Sequence, residues 1–451
     1  DLIFVSGHPG ATGRLRTMAQ MDFLRDVDYP SRLETYKRRI DLLQKFSGES
    51  EENARIAKEE IFAYQNSQKA IAGYKTGLDD KQLMATKAAD ETKLRNQVKA
   101  KNPNGADPWA EIEGAMKVQR TIYAPLTYVE RMRGFNSDLA NTARRIIRTT
   151  AEKAKPNGER LREYRDSALP SLEQEIFSTA PIYKSLETVT LADSLEQMQA
   201  VLGADDPIVK KALNGKSPAE VAKEAIASTK LDDVAFRKQL YEGGTAAVEA
   251  SKDPMILLMR SIDPEARAVR KEYDDNVDAV EKRDGAAIAR ARFAESGFNQ
   301  PPDATFTLRL SYGQVKGYTE NGKQVPYTTN IGGAFEHASE HGNKPPYQLP
   351  ESWMNAKSKL DLKTPFNFVS TADIIGGNSG SPTVNKAGEV VGIIFDGNIQ
   401  SLPWNFAFTD QQGRAVSVDS RGIVEALRKV YGADTLANEL SGAKASVAAA
   451  K

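Results

Sequence analysis

The stretch "GGNSGSPTVNKAGEVVGIIFDGN" runs from Gly376 to Asn398 and places Ser379 between glycines, ahead of an apolar run that predicts a strand. An acyl-transfer nucleophile needs backbone amides directed at the oxygen that becomes negatively charged. Glycines allow the unusual backbone angles that expose such amides. The stretch therefore predicts Ser379 as a nucleophile, with the amides of Gly377 and Ser379 as its oxyanion hole. A plain glycine-rich hairpin is the alternative.

The histidines of the chain do not supply an evident base for this serine. A serine hydroxyl is a weak nucleophile unless a neighbouring group, usually a histidine held by an aspartate, takes its proton. The chain has three histidines, His8, His337 and His341, and none stands where the trypsin order of His, Asp and Ser would place the base. His337 and His341 have the i,i+4 spacing of a metal-binding pair. A solvated loop is the favoured interpretation, so we expect no metal and no cofactor.

The composition excludes several classes of function. Of the 451 residues, 40% are hydrophobic and 27% are charged, which is enough apolar material for a packed core. Lys plus Arg and Asp plus Glu both number 61, and this balance argues against a nucleic-acid-binding protein. There is no cysteine, hence no thiol nucleophile and no thiolate metal site. No run of 18 apolar residues is present, so no membrane span is predicted.

The hydrophobic periodicity changes along the chain. Residues 1–7 resemble a strand that is followed by a Gly/Pro turn, and a helical period then dominates as far as about residue 298. From Thr305 the sequence "TFTLRLSYGQVKGY" alternates apolar and polar residues, which predicts a half-buried strand. The apolar set is Phe306, Leu308, Leu310 and Tyr312.

This pattern predicts an α+β fold in which a large helical domain interrupts a β-barrel. The expected segments are the start of the barrel at 1–24, the helical domain at 25–300, the rest of the barrel at 301–434 and a tail at 435–451. Because the first residue is Asp1 and a strand is already under way, we expect the chain to be a fragment of a longer protein.

An ordered set of short sequences resembles the bacterial dipeptidyl peptidase 7 and dipeptidyl peptidase 11 family of serine exopeptidases. The set includes "NSQKAIAG", "LREYRDSALPSLE", "GADDPIVKKALNGKSP", "TFTLRLSYGQVKGY", "IIGGNSGSPTVNKAGEVVGIIFDGN" and "SVDSR", and it covers nearly the whole chain. The resemblance implies a chymotrypsin-like double barrel, with a helical domain inserted in the second barrel that caps the cleft. It implies Ser379 as the nucleophile, and a triad His and Asp in a first barrel that this sequence lacks.

The resemblance also implies a substrate and the residues that bind it. The substrate is a peptide with a free N-terminus, whose ammonium group needs a carboxylate and neutral oxygen acceptors. Asp396, on the strand after Ser379, and Asn66, in the helical domain, are the expected partners of that ammonium, and Phe395 is expected to pack on the substrate chain. Acidic-specific members carry Arg where this chain has Gly397, which favours a hydrophobic residue at P1, the residue before the cleaved bond.

The resemblance also implies a homodimer and a periplasmic or secreted location. No nucleic-acid or membrane partner is expected. Two other functions remain open from the residues alone. One is a serine endopeptidase of the same barrel class, and the other is a non-catalytic barrel that binds peptides.

Overall fold

A computed structural model describes residues 1–297 and 302–442. The chain divides into two compact units. The sheet unit comprises residues 1–16, 72–91 and the described residues from 295 onward, and the helical unit comprises residues 17–71 and 92–294. This division differs from the expected segments, because residues 17–24 group with the helices and residues 72–91 group with the sheet. The final residues of the predicted tail, 443–451, lie outside the described part.

The described chain contains strands in both the first residues and the C-terminal third. They are β1 Leu2–Gly7, β2 Arg309–Gln314, β3 Tyr318–Glu320, β4 Lys323–Val325, β5 Thr328–Asn330, β6 Pro365–Ser370, β7 Pro382–Asn385, β8 Val390–Gly397 and β9 Ala415–Asp419. Seven of these form one antiparallel sheet in the order β2-β1-β7-β8-β9-β6-β5, and β3 and β4 form a separate hairpin. The α+β prediction is therefore confirmed.

The sheet closes on itself through the segment that follows β2. The amide of Lys316 donates to the carbonyl of Val369 at 3.2 Å, and the amide of Thr371 donates to the carbonyl of Gln314 at 2.9 Å. These bonds join the first strand of the order to β6, so six strands form a ring. Its interior holds a cluster of buried side chains, namely Ile3, Val5, Ala372, Ile374, Ile394, Trp404 and Ala415.

Strand β2 begins at Arg309, so Phe306 and Leu308 of the predicted alternation precede it, and all four apolar side chains are exposed. The side chains of Phe306, Leu308, Leu310 and Tyr312 are 65%, 64%, 65% and 68% exposed. The inner face of the strand carries small residues because the backbone of residues 371–373 lies directly against it. A side chain at Gly313 would overlap the backbone of Ala372, and Ser311 Oγ donates to the carbonyl of Asp373 at 2.6 Å. Exposed apolar rows of this kind are characteristic of interaction surfaces.

The helices of the described chain, in order, are α1 Met18–Phe23, α2 Tyr29–Ser47, α3 Glu51–Asp79, α4 Lys81–Lys101, α5 Pro108–Pro125, α6 Asp138–Lys153, α7 Leu169–Ile176, α8 Lys184–Leu202, α9 Pro207–Leu213, α10 Pro218–Ser228, α11 Val234–Glu242, α12 Gly244–Ala250, α13 Pro254–Tyr273, α14 Ala279–Ser296, α15 Ile331–Glu340, α16 Glu351–Ala356, α17 Ser420–Lys429 and α18 Asp434–Leu440. Four of them, α5, α9, α10 and α13, begin with a capping Asp or Ser followed by proline at the first helical position. The cap accepts otherwise unpaired amides and proline presets the helical φ angle, so these starts are encoded locally. None of the described helices is both long enough and apolar enough to cross a membrane.

The helical unit encloses a network of charged side chains. Arg148 has no exposed side-chain surface, and it forms ion pairs with Glu130 at 2.7 Å and Asp263 at 2.6 Å. Arg267 links Asp263 to Glu152, with ion-pair distances of 2.7 Å to each. A buried charge costs several kcal/mol when it is left unpaired, so loss of one partner in this network is expected to be strongly destabilising.

Glu152 is the carboxylate of this network with the most strongly shifted pKa. Burial alone would raise the pKa, but hydrogen bonds from Lys155, the Leu161 amide and Arg267 outweigh burial and lower it to about 2. A carboxylate whose pKa is lower in the folded than in the unfolded state stabilises the fold above its unfolded pKa. That stabilisation is lost as the pH falls toward the folded pKa.

We therefore expect the free energy of unfolding to fall between about pH 4.5 and pH 2, with Glu152 accounting for on the order of 3 kcal/mol. In Glu152→Gln this part of the pH dependence should be absent, because the side chain no longer takes up a proton. Denaturant unfolding at several pH values measures it, with Glu242→Gln on an exposed surface as the control. An unchanged pH profile in Glu152→Gln would contradict the assignment.

Candidate active site

Ser379 lies in the turn that leads into β7, and the backbone of this turn requires glycine. Gly377 has φ +107° and Gly380 has φ +85°, both in the left-handed region that residues with side chains rarely adopt. Space is a second constraint at Gly377. A Cβ atom there would lie 2.5 Å from the carbonyl oxygen of His8 and 2.8 Å from the amide of Gly10. The turn therefore packs directly against the backbone that follows β1.

Three further contacts hold the turn in place. The amide of Gly10 donates to the carbonyl of Gly376 at 2.7 Å. Asn378 is 2% exposed, and its side-chain amide donates to the carbonyl of Ile375 at 3.0 Å. A side chain at Gly7 would overlap Ser381 Oγ. Sequence reasoning missed these bracing roles of Gly7, Gly10 and Asn378, because the partners are distant in the sequence and the only local signal was the glycine content.

Three amides of the turn donate hydrogen bonds to backbone carbonyls, and two have no acceptor in the part of the chain that the structure describes. Those of Asn378, Gly380 and Ser381 donate to backbone carbonyls at 3.1, 2.8 and 2.9 Å. Within the described residues, the amides of Gly377 and Ser379 have no acceptor. An oxyanion hole in acyl transfer needs amide donors without a structural acceptor, and these two amides have none among those residues. The role of Gly377 and Ser379 as an oxyanion hole stays a prediction.

The hydroxyl of Ser379 has a backbone partner and no base. Its Oγ donates to the carbonyl of Phe395 at 3.3 Å. In the part of the chain that is described, no imidazole or carboxylate accepts a bond from it. The ring of His8 instead faces Phe306, with ring centroids 6.1 Å apart. The nucleophile needs a general base from outside these contacts to react efficiently.

The strand β8 contains an irregularity beside the serine. Ile394 is paired with Ser417 and Asp396 is paired with Val416, so Phe395 is an extra residue in a β-bulge. Its side chain is 46% exposed. Bulges redirect side chains and are common beside active sites. The structure brings Phe395 next to Ser379, and the role of Phe395 in binding substrate stays a prediction.

Asp396 is an exposed carboxylate on the same strand. One of its oxygens accepts a bond from the amide of Gly397 at 2.8 Å, which fixes the orientation of the side chain. Within the described residues Asp396 forms no ion pair. A carboxylate accepts several hydrogen bonds, so it retains the capacity to bind an ammonium group.

Gly397 ends β8 in a crowded place. A Cβ atom there would overlap Ser401 Oγ and lie 3.5 Å from the carbonyl of Arg414. Ser401 Oγ is held by a hydrogen bond to the carbonyl of Asn398 at 2.6 Å. A side chain at position 397 would therefore require Ser401 Oγ to rotate and give up this hydrogen bond.

Arg414 is the arginine beside this strand end, and its guanidinium is committed to the fold. The residue is 1% exposed. Its N–H groups donate to the carbonyls of Lys316, Gly317, Asp410 and Gly413 at 2.7–2.9 Å. Burial lowers the pKa of Arg414. With four of the five guanidinium donors bound to backbone, it is not free to form a bidentate pair with a substrate carboxylate.

The remaining predicted site residue, Asn66, lies on α3 within the helical unit, where its side chain is exposed. Ser379, Phe395, Asp396 and Gly397 all lie in the sheet unit. The contribution of Asn66 to the site stays a prediction.

The two other histidines, His337 and His341, are exposed to solvent as expected, but they lie at the end of a helix rather than in a loop. His337 lies in helix α15 and His341 is the residue that ends it. Together with Glu340 they form a group whose possible ligand atoms lie within 4.8 Å of one another.

Comparison with known proteins identifies similar sequences over the whole described chain. A family model described as Peptidase S46 matches residues 1–442. The Asp/Glu-specific dipeptidyl-peptidase of Shewanella putrefaciens is 28% identical over 98% of this chain and 64% of its own length. Dipeptidyl-peptidase 7 of Phocaeicola vulgatus is 26% identical over 98% of this chain and 62% of its own length. The chain thus spans less than two thirds of the length of these curated relatives.

A solved structure has the same fold. The crystal structure of Porphyromonas endodontalis DPP11 in complex with the dipeptide Arg-Glu superposes with a TM-score of 0.77, at 18% identity. The match covers 98% of this chain and 64% of the DPP11 chain.

The geometry of the turn predicts that Gly377→Ala disables the oxyanion hole. The new methyl group would collide with the His8 carbonyl and turn an amide away, and loss of one such donor lowers rates about 10²–10³-fold. The rate at which a fluorophosphonate labels Ser379 measures this loss. Gly376→Ala is the matched control, since a Cβ atom there meets nothing within 4 Å. Equal labelling rates in the two variants would refute the role of Gly377.

Proposed function

The chain belongs to the peptidase S46 family, and we propose that it acts as a serine-type dipeptidyl aminopeptidase that releases dipeptides from the free N-termini of peptides. The observation that carries the proposal is the exposed hydroxyl of Ser379 between the free amides of Gly377 and Ser379. The bulged strand with Phe395 and Asp396 beside this hydroxyl supports it.

The proposed reaction is acyl transfer in two steps. Ser379 Oγ attacks the carbonyl carbon of the second substrate residue, and the carbonyl oxygen takes the negative charge between the amides of Gly377 and Ser379. Collapse of this intermediate breaks the peptide bond and leaves the dipeptide as an ester on Ser379. The serine proton passes to a base and then to the departing amine. Water then hydrolyses the ester, which releases the dipeptide and restores the hydroxyl.

The base is supplied by the triad His, held by the triad Asp, that the family resemblance implies. In the described chain Ser379 Oγ donates to the Phe395 carbonyl, so base-catalysed reaction requires the hydroxyl to rotate toward the imidazole. The same resemblance supports the proposal that the six-stranded ring is the second barrel of a chymotrypsin-like double barrel. It also supports a homodimer and a periplasmic or secreted location.

Restriction to dipeptides requires that the substrate ammonium be held at a fixed distance from Ser379. Asp396 offers a carboxylate that is orientated by the Gly397 amide and free of ion pairs among the described residues. Asn66, on the helical unit, offers a neutral amide oxygen as a second acceptor. Phe395 supplies an exposed ring on which the substrate chain can pack.

We propose a hydrophobic residue at P1. One of the two curated relatives is called Asp/Glu-specific, and the name of the other states no P1 preference. Gly397 contributes no charge, and Ser401 occupies the volume into which a side chain at 397 would extend. Arg414 is committed to backbone carbonyls. An acidic P1 side chain would therefore be desolvated here without a cationic partner, which costs free energy.

The test of the proposed function is dipeptide release by the protein expressed from its complete gene. We expect Ser379→Ala to abolish turnover, and acetylation of the substrate amine to lower kcat/KM about ten- to a hundredfold, because a hydrogen bond to a charged group contributes roughly 1.5–3 kcal/mol. Asp396→Ala and Asn66→Ala should each cause a comparable loss with the free amine and little further loss on acetylation.

Each alternative function has its own outcome in this experiment. Equal cleavage of acetylated and free peptides would indicate a serine endopeptidase. Absence of both turnover and fluorophosphonate labelling, in a protein that still binds peptides, would indicate a non-catalytic barrel. Labelling of Asp396→Ala by a small fluorophosphonate at the parental rate is the control that its turn remains intact.

The P1 proposal predicts faster release of dipeptides that end in Leu, Met or Phe than of those that end in Asp or Glu. Gly397→Arg alone should fail to reverse this order, because Ser401 obstructs the new side chain. Gly397→Arg combined with Ser401→Gly should raise kcat/KM for Glu substrates about ten- to a hundredfold through a charge-assisted pair. Ser401→Gly alone is the control. A parent enzyme that prefers Asp or Glu would overturn the proposal.

A further inference from the structure

Helix α15, which stands apart from the proposed catalytic chemistry, has two chemically different faces. Its buried face belongs to the hydrophobic packing of the sheet unit and consists of Ile331, Phe335 and Ala338. The opposite face, at the C-terminal end, carries His337, Glu340 and His341, all exposed. The packing of one face fixes the helix, so the three polar side chains project from a supported turn.

The three side chains converge. Their possible ligand atoms all lie within 4.8 Å of one another, and His337 Nδ1 lies 3.9 Å from a carboxylate oxygen of Glu340. Ligands on a tetrahedral ion at about 2.0–2.2 Å require somewhat closer approach. The side chains are exposed at a helix end, so small rotations about their χ angles can supply it.

The ring of His341 is already orientated in the way that metal ligands are. Its Nδ1 lies 2.9 Å from the carbonyl oxygen of His337, which accepts the Nδ1–H bond and leaves Nε2 as the free donor of an electron pair. Metal-binding histidines almost always have such a partner on the second nitrogen. The ring of Tyr347 stacks on His341 with centroids 3.8 Å apart and meets His337 edge-on at 5.0 Å. Tyr347 therefore packs against both imidazole rings.

We propose that His337, Glu340 and His341 bind one divalent transition-metal ion of the Zn²⁺ class. Two imidazoles and one carboxylate suit Zn²⁺, Cu²⁺ or Ni²⁺ rather than the hard ions Ca²⁺ and Mg²⁺, which prefer oxygen ligands alone. Three protein ligands leave at least one coordination position for water or another molecule. The ion would link His337 and Glu340, in the last turn of α15, to His341, the residue that ends the helix.

The experiment is calorimetric titration of the untagged protein with Zn²⁺. The chain has three histidines and no cysteine, so few other strong ligands compete. We expect one equivalent to bind, and His337→Ala and His341→Ala each to lower the affinity at least about tenfold. Glu340→Gln should also weaken binding. His8→Ala is the matched control, because it removes the remaining imidazole and should leave the affinity unchanged.

A second measurement separates binding from folding. Zn²⁺ should raise the thermal unfolding temperature of the parent and of His8→Ala, since a ligand that binds the folded state stabilises it. It should not do so in the variant with both His337→Ala and His341→Ala, whose unfolding temperature without metal should equal that of the parent. Undiminished binding in this double variant, or no binding by the parent below about 1 mM Zn²⁺, would overturn the proposal.

Discussion

The contact between Gly377 and the backbone that follows β1 is the constraint on which the candidate site depends. Gly377 adopts a left-handed φ angle, and the carbonyl of His8 leaves no room for a side chain at this position. This contact exists only because β1 pairs with both β2 and β7 in the sheet. Strand β1, at the start of the sequence, must therefore pair with β7 before the turn around Ser379 can adopt this conformation. A site built in this way is rigid, which is what preorganised oxyanion binding requires.

The same sheet determines what surrounds the serine. The bulge at Phe395 directs its carbonyl to Ser379 Oγ and displaces Asp396 by one position relative to β9. At the end of the strand, Ser401 and Arg414 are both committed to the backbone and restrict what position 397 can hold. The residues beside position 397 thus form hydrogen bonds that stabilise the fold. The preference of the candidate site for substrate follows from which polar groups remain unpaired.

The helical unit is stabilised by helix caps and by buried ion pairs. Four of its helices start at a local cap and proline, and it encloses paired charges around Arg148. Caps are encoded within a few residues of sequence, whereas the charge network unites α6, α13 and the short π-helical segment Leu126–Glu130. Separating these partners would leave a buried charge unpaired, which is strongly destabilising.

The sequence by itself determined the α+β class, the candidate nucleophile Ser379 and the neighbouring strand with Phe395, Asp396 and Gly397. These features follow from periodicity, glycine spacing and family resemblance. Each of these signals is present in short stretches of the sequence. Only the tertiary structure decided which face of β2 is buried, because Gly313 meets the backbone of residues 371–373 and leaves its apolar side chains outside. It also decided that residues 72–91 group with the sheet and that His337 and His341 end a helix. Contacts between distant segments set these outcomes, and a local pattern contains no information about its distant partner.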